Sequence, residues 1–397
     1  MRERRILYLD DRRLSAYRWR AGEVHGEGRF AADADGLRAF AAYLLRHARS
    51  RFTLLVNGRE DSFRVQTIPR LAAGERSNVI ERKLTQHFPG CPYTASLSLG
   101  HERSRRREEC VLLAALLAPE RLDPWIEAMR EAGVALCGIH SLALLGAALL
   151  GKVVGREASG LLLTMQDDSL RESYFERGRL RFSRLVPWAE DDDDPAQTLL
   201  AEAGRLRLYL INQQLIGDQA PLHTVVVAGP SNLPALRAVC ADTPALAFEL
   251  RDSGDCARRV GLKQPPGDDR LDNIYVHLLA TTPQAQFAAP PLRGHYLLRQ
   301  ARAAIIATGS LALAASLIFA APRWLGAQVL AEEAGQAQAA TRILAERLAA
   351  SGDGRAVPAD PTPQLDGVVD RYQEIVRQTA SPEALFNEIG AALARQP

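Results

Sequence analysis

A chain of 397 residues is long for one domain and comfortable for two or three, and 47% hydrophobic with 24% charged is enough to bury real cores. Its 49 basic and 47 acidic residues leave a net charge of +2, which argues against a dedicated nucleic-acid binder. The only lysines are Lys83, Lys152 and Lys263, and none stands in a Gly-rich loop of P-loop spacing, which excludes a lysine-centred phosphate site.

The chain opens on Met-Arg-Glu-Arg-Arg and a strand-like run with no apolar leader, so no cleaved export signal is expected. Strands are predicted at ILYLD (6–10), LSAYRWR (14–20) and 24–30, then a helix over 35–48 and a buried strand FTLLV (52–56). A helix over 75–88, strands over 95–100 and 111–117, a helix over 119–131 and a strand ending near His140 follow. The second half restarts the same order with GLLLTM (160–165), SLRESYFERG (169–178) and LRFSRLV (180–186). A long helix from Pro195 to about Ile216 and the strand HTVVVAG (223–229) complete it. Each half is thus a three-stranded meander followed by helix and strand. The five cysteines (Cys91, Cys110, Cys137, Cys240, Cys256) have no CxxC spacing, and His87, His101, His140 and His223 have no ligand-like spacing. Reduced structural thiols and no metal site are expected.

Between Arg302 and Arg323 stand twenty residues without a charge, AAIIATGSLALAASLIFAAP. At ~1.5 Å per residue they reach roughly 30 Å, the thickness of a bilayer core. Length, both flanking arginines and Trp324 favour a membrane span over 303–322 rather than a buried core helix. Arg293, Arg299 and Arg302 precede the span closely, whereas Arg323 alone follows closely before Glu332 and Glu333. The positive-inside rule then assigns the N-terminal part to the cytoplasm. Ala304, Thr308, Ala312, Ser316 and Ala320 recur every four residues and form a candidate dimer face, although eight of the twenty residues are alanine and chance supplies the alternative. Residues 323–350 read as an Ala-rich helical stalk with Leu330, Ala337 and Leu344 seven apart. Over 351–397 a linker, GDGRAVPADPTP, precedes helices near 365–378 and from Ser381, the latter with Phe386, Ile389 and Leu393 on one face.

Two copies of β-β-β-α-β-α resemble the duplicated actin-like, sugar-kinase-like fold. The stretch AEAGRLRLYLINQQ, with Glu202, Arg205, Leu208 and Tyr209, resembles the second-half helix of the actin-like domains of type IV pilus assembly protein M and general secretion pathway protein L. The tail FAAPPLRGHYLLRQ resembles the join where that domain is tethered to a protein N-like membrane segment. The resemblance implies an α/β, duplicated actin-like cytoplasmic domain over 1–285, a juxtamembrane linker over 286–302, one transmembrane helix and an α-helical periplasmic stalk. It also implies a single-pass protein of the bacterial inner membrane, N-terminus cytoplasmic and C-terminus periplasmic. The partners it implies are a motor ATPase, sister bitopic membrane proteins and a second copy of the chain. Family proteins L and N continue into a small ferredoxin-like domain, and the resemblance leaves open a chain truncated before that domain.

Actin-like ATPases cradle phosphates with two Gly-bearing DxG hairpins and hold adenosine with a GG turn, because backbone N–H groups must approach the phosphates with no Cβ in the way. Here the first hairpin, Leu9-Asp10-Asp11-Arg12-Arg13, has no glycine, and neither has the second, Gln166-Asp167-Asp168-Ser169-Leu170. Pro230 follows Gly229 where the second glycine of the adenosine turn belongs. Asp10, Asp11, Asp168, Ser169 and Gly229 are therefore vestigial positions, with no catalytic residue and no cofactor expected. Water-mediated Mg²⁺ at Asp10 and Asp168 is the alternative to plain turn formation. The run Glu190, Asp191, Asp192, Asp193, Asp194 reads either as a helix start, with Asp194 capping and Pro195 in first position, or as a partner-docking loop. Arg103, Arg105, Arg106 and Arg107 sit beside Glu102, Glu108 and Glu109 and read as a solvated hairpin tip before a phosphate or lipid contact. The expected function is a bitopic inner-membrane scaffold of a type II secretion or type IV pilus-like machine. The alternative is a membrane-anchored ATPase or kinase of the actin superfamily.

Overall fold

The structure, a computed structural model, describes residues 3–101, 108–188, 194–219, 221–264, 270–282 and 285–350, together with Asp370, Arg371 and Glu374. It divides into two units, Met1–Thr308 and Gly309–Pro397.

In the first unit, β1 (Arg4–Leu9), β2 (Arg13–Arg20) and β3 (Glu23–Ala31) form an antiparallel meander. To it β4 (Arg51–Val56) and β8 (Ala135–Ser141) add in parallel, giving the order β3-β2-β1-β4-β8. The second sheet repeats this order as β11-β10-β9-β12-β13, from β9 (Gly160–Met165), β10 (Ser169–Glu176), β11 (Arg179–Pro187), β12 (Leu222–Ala228) and β13 (Leu246–Asp252). Helices repeat as well. α1 (Ala34–Arg46) and α5 (Pro195–Asn212) join the third strand of each sheet to the fourth, and α3 (Pro119–Glu131) and α6 (Leu233–Val239) join the fourth to the fifth. α4 (Leu142–Val153) and α7 (Ser253–Val260) follow the fifth. This is the duplicated actin-like arrangement, α/β with mixed sheets.

Turn chemistry carries the duplication down to single residues. Two-residue hairpins match the strand twist when both turn residues have positive φ. Ala21-Gly22 (φ 53° and 92°) and Arg177-Gly178 (φ 50° and 69°) meet that need at equivalent places. At Gly178 a Cβ would lie 2.1 Å from the Arg156 carbonyl oxygen, so only glycine fits.

The first half carries an insertion of its own. β5 (Asp61–Ile68), α2 (Ala73–His87), β6 (Thr94–His101) and β7 (Glu109–Leu116) build a separate sheet in the order β5-β7-β6. Ile68, Ile80, Phe88, Val111, Leu113 and Ala115 form its small core. β5, α4, α6, β13, α7 and α8 (Asp272–Thr281) have no counterpart among the elements predicted from the sequence. The main core joins both halves, since Leu7, Leu54, Leu145 and Leu149 share a cluster with Leu162, Phe175, Val225 and Tyr275. A second core lies under α5, around Leu161, Leu163, Leu199 and Leu206.

Residues 286–302, expected as a juxtamembrane linker, are in part packed onto the fold. Phe287 and Ala288 are buried, the Phe287 amide donates to Ile139 O at 2.8 Å, and Arg293 Nε donates to Cys137 O at 2.8 Å. The segment runs along β8, an edge strand whose free backbone groups need partners. A 3-10 turn at Pro290–Arg293 leads directly into α9 (Gly294–Ala350). The stretches 303–322 and 323–350 therefore belong to one helix, which continues through Pro322. Among the described residues it is the one helix long and apolar enough to cross a membrane, with a mean hydropathy of 2.1 over its most apolar stretch and none of that stretch buried. In the second unit Leu311, Leu317, Ile318 and Phe319 all stand exposed, an apolar surface suited to lipid. Most of 351–397, including Phe386, Ile389 and Leu393, lies outside the described residues; Asp370, Arg371 and Glu374 are helical.

Candidate functional site

The two hairpins of the expected phosphate site are built alike. The Asp10 amide donates to Arg13 O at 3.1 Å, and the Gln166 amide to Ser169 O at 2.8 Å. Arg12 O accepts from Ala32 N at 3.1 Å, and Asp168 O from Trp188 N at 3.0 Å. What differs from a phosphate cradle is the use made of the side chains. Asp10 Oδ1 accepts from the amides of Arg12 (2.9 Å) and Arg13 (2.8 Å), so two amides of the turn are already occupied by the protein's own carboxylate. Burial pushes the Asp10 carboxyl up to about 6 even with these bonds holding it down.

The hairpins are also tied to each other. Arg13 Nη2 lies 2.7 Å from Asp167 Oδ2, and Arg12 Nε lies 3.6 Å from Asp168 Oδ2. Arg270 Nε reaches Asp167 Oδ2 at 3.4 Å from a third direction. Asp11 is turned aside, paired with Arg59 and Arg121. Ser169 is buried, and its hydroxyl donates to Asp168 Oδ1 at 3.3 Å. The structure thus brings Asp10, Asp168 and Ser169 together and gives the Asp11 carboxylate to Arg59 and Arg121.

Deeper in the cleft a polar network joins the halves. Arg171 on β10, only 2% exposed, donates through Nε (3.1 Å) and Nη2 (2.7 Å) to Asn57 Oδ1 and through Nη2 to Gly58 O at 2.8 Å. Its Nη1 lies 3.7 Å from Asp61 Oδ2, which also accepts from the Ser141 hydroxyl at 2.7 Å. Burial pushes Asp61 up to about 6, against the pull of Arg171. Tyr8 and Asn57 both donate to Gln166 Oε1, the former at 2.9 Å. None of Asn57, Asp61 and Arg171 was singled out from sequence; a lone arginine and asparagine beside buried strands was the available signal.

Beside the first hairpin a cavity of about 20 Å³ lies among Asp10, Asp11, Asn57, Asp61 and Arg121, room for about one water. A triphosphate with Mg²⁺ needs free turn amides, and in the first hairpin the Arg12 and Arg13 amides are held by Asp10. Gly229 is buried in a turn closed by the Asn232 amide on its carbonyl at 3.1 Å. Beside this turn a cavity of about 330 Å³ is lined by Gln166, Asp167, Trp188, Pro195, Ser231 and Asn232. Among the described residues no three His, Cys, Asp or Glu side chains gather as a metal site.

The other residues singled out fall away from the cleft. Glu202 and Arg205 on α5 belong to a brace in which Arg184 Nη2 meets Glu202 Oε2 at 2.6 Å and Arg184 also holds Glu172. Burial pushes Glu172 up to about 7. Leu208 and Tyr209 face outward, the Tyr209 ring 4.9 Å from that of Phe182. Asp194 caps α5, accepting from Ala196 N (3.2 Å) and Gln197 N (3.1 Å). Glu190, Asp191, Asp192 and Asp193, like Arg103, Arg105, Arg106 and Arg107, lie outside the described residues. Ala304, Thr308, Ala312, Ser316 and Ala320 are all exposed on α9.

Fold and cleft together define an actin-like protein whose phosphate hairpins are cross-tied and whose last described helix is long and apolar. No protein-family model and no curated protein matches the chain. Among solved structures it is similar to the cytoplasmic domain of EpsL, an inner-membrane component of the type II secretion system of Vibrio cholerae, at 13% identity over 71% of this chain and 97% of that one, TM-score 0.40. It is similar to the PilM–PilN type IV pilus biogenesis complex at 13% identity over 68% and 96%, TM-score 0.49. A Bacteroides thetaiotaomicron protein of unknown function with an actin-like ATPase fold is similar at 11% identity over 63% and 90%, TM-score 0.38. At such identities none of them assigns an activity to this chain.

Proposed function

We propose that the chain is a single-pass inner-membrane scaffold of a type II secretion or type IV pilus-like assembly platform, working by docking and not by nucleotide turnover. The observation that carries this reading is the pair of cross-hairpin ties, Arg13–Asp167 and Arg12–Asp168, in the gap that phosphates would need. What remains is a two-lobed domain, followed in the chain by the apolar helix α9. The resemblance of the α5 and 287–300 sequences names the system. Its partners are a motor ATPase on the side of the actin-like domain, with residues 190–194 as a candidate contact, and sister bitopic proteins beside α9. A second copy would pack along Ala304, Thr308, Ala312, Ser316 and Ala320.

A membrane-anchored ATPase or kinase is the second reading. In its favour stand the 330 Å³ cavity beside the Gly229 turn and Gln166 Nε2, buried without a hydrogen-bond partner among the described residues. One experiment separates the two. A ligand at a hundred times its Kd stabilises the folded state by about 2.7 kcal/mol. The full-length protein in detergent should show no rise in melting temperature with ATP-Mg²⁺, yet should co-purify with the N-terminal region of its cognate motor. An ATP-dependent rise abolished by Asp10→Ala would establish the enzyme reading.

A further inference from the structure

We propose that a belt of arginines where the actin-like domain meets α9 docks anionic phospholipid headgroups and seats the domain on the membrane surface. This rests on the reading of 303–322 as a span. Two segments distant in sequence meet here. Arg299, in the second turn of α9, donates from Nη2 to Ala48 O at 3.1 Å and from Nη1 to Arg49 O at 3.4 Å, which fastens the loop after α1 to the helix. The guanidinium carbons of Arg51 and Arg293 lie 5.8 Å and 5.4 Å from the centre of the Tyr296 ring. The belt so gathered is Arg46, Arg49, Arg51, Arg293, Arg299 and Arg302.

Its charge is uncompensated along both segments. The sequence has no Asp or Glu between Asp35 and Glu60, and none between Asp272 and Glu332. Glu3 and Glu27, on the Ser50 side of the loop, are both engaged by Arg5. Arg46, Arg49 and Arg302 are exposed. Among them stand two leucines that nothing covers, Leu45 at 67% and Leu298 at 61% exposure. Apolar side chains set among guanidinium groups suit an interface of acyl chains and anionic headgroups.

Position favours the same partner. From Arg299 to Ala303, where the charge-free stretch begins, the helix rises about 6 Å. That is inside the Debye length of about 8 Å over which the potential of an anionic leaflet acts. Orienting a span needs arginines only in its sequence flanks. Arg46, Arg49 and Arg51 belong to the folded domain and come to the flank through tertiary contacts, which is what a seated domain requires.

The test uses the full chain in nanodiscs of phosphatidylcholine alone or mixed with phosphatidylglycerol, reading amide hydrogen exchange over 45–51. The chain should enter both discs. Exchange should slow by about fivefold or more only in the anionic discs, the worth of about one arginine at a charged surface. The slowing should vanish in about 0.5 M salt and in Arg46→Gln/Arg49→Gln, and persist in Arg177→Gln/Arg179→Gln, which lie away from the belt. Equal exchange in both discs, or slowing that survives Arg46→Gln/Arg49→Gln, would overturn the proposal and leave the belt to an acidic protein. Failure to enter either disc would overturn the span, and the proposal with it.

Discussion

Arg171 and Glu172 are neighbours on β10 and point to opposite faces of the second sheet, one into the cleft and one under α5. Both are buried, and each is met by groups of opposite charge, Asp61 and Arg184. Glu172 has a measurable consequence. Its folded pKa of about 7 lies above the usual 4.5, so the folded state holds the proton more tightly than the unfolded one. Its contribution to stability is full below pH 4.5 and is lost as pH rises to about 7, a change of about 3 kcal/mol. Asp10 and Asp61 act in the same sense between 3.8 and about 6. Glu109, held down at about 2 chiefly by Arg76, acts oppositely and at lower pH. In Glu172→Gln, Arg184 keeps Glu202, so melting temperature should fall less between pH 4.5 and 7.5 than in the parent. Parallel melting curves for the two proteins would show that Glu172 is ionised throughout. This residue was not legible in the sequence, because an adjacent Arg171-Glu172 pair in a strand gives no sign of burial, and burial on both faces is a tertiary fact. Asp10 was legible as a turn former, since an aspartate at a hairpin tip bonds its own backbone whatever surrounds it.

Elements were legible where an apolar run had a sharp boundary. β4 and β9 are short buried runs, and in each meander an X-Gly pair turns the second strand into the third. β5 and β13 escaped because most of their residues are half-buried and show no clean alternation. α4 and α8 escaped for the opposite reason, since buried residues on nearly every side leave no amphipathic period. Gly146 inside α4 reads as a breaker, yet a Cβ there would come within 2.9 Å of the Phe175 ring, so close packing explains it. α9 was the most legible element, and two predictions belong to it. A reporter active only in the periplasm should be active when fused after Ala350 and silent when fused after Ala280; the reverse would overturn the assigned sides. The second concerns its small residues. Four residues turn an α-helix through about 400°, so the line from Ala304 to Ala320 drifts by about 40° per step and favours a right-handed crossing. Ala312→Leu/Ser316→Leu should weaken association of the span in a membrane reporter by about tenfold, for ~1–2 kcal/mol of lost packing. Unchanged association would remove this face from the partner surfaces.

At the scale of the whole actin-like domain, the ties between its two halves set how freely they can move against each other. Here the lobes share one apolar core, and above it Arg171–Asn57, Tyr8–Gln166, Arg13–Asp167 and Arg12–Asp168 cross the gap. The exposed pairs contribute little each, about 0–1 kcal/mol, so rigidity comes from the core and the buried bonds, while the outer pairs link the two hairpin tips. These two roles separate experimentally. Arg12→Ala/Arg13→Ala removes the outer ties and leaves the core intact, so global stability should fall by no more than about 1–2 kcal/mol. Amide exchange should quicken over 9–13 and 166–169 and stay unchanged in β4 and β9. Hydrolysis of ATP should still not appear, because Asp10 keeps its carboxylate on the turn amides and neither hairpin gains a glycine. On the proposed docking reading, capture of the motor's N-terminal region should persist, because the substitutions lie at the hairpins and not at residues 190–194. Turnover of ATP by Arg12→Ala/Arg13→Ala would mean that the arginines gate a competent site, and the molecule would then be a latent enzyme held closed by its own hairpins.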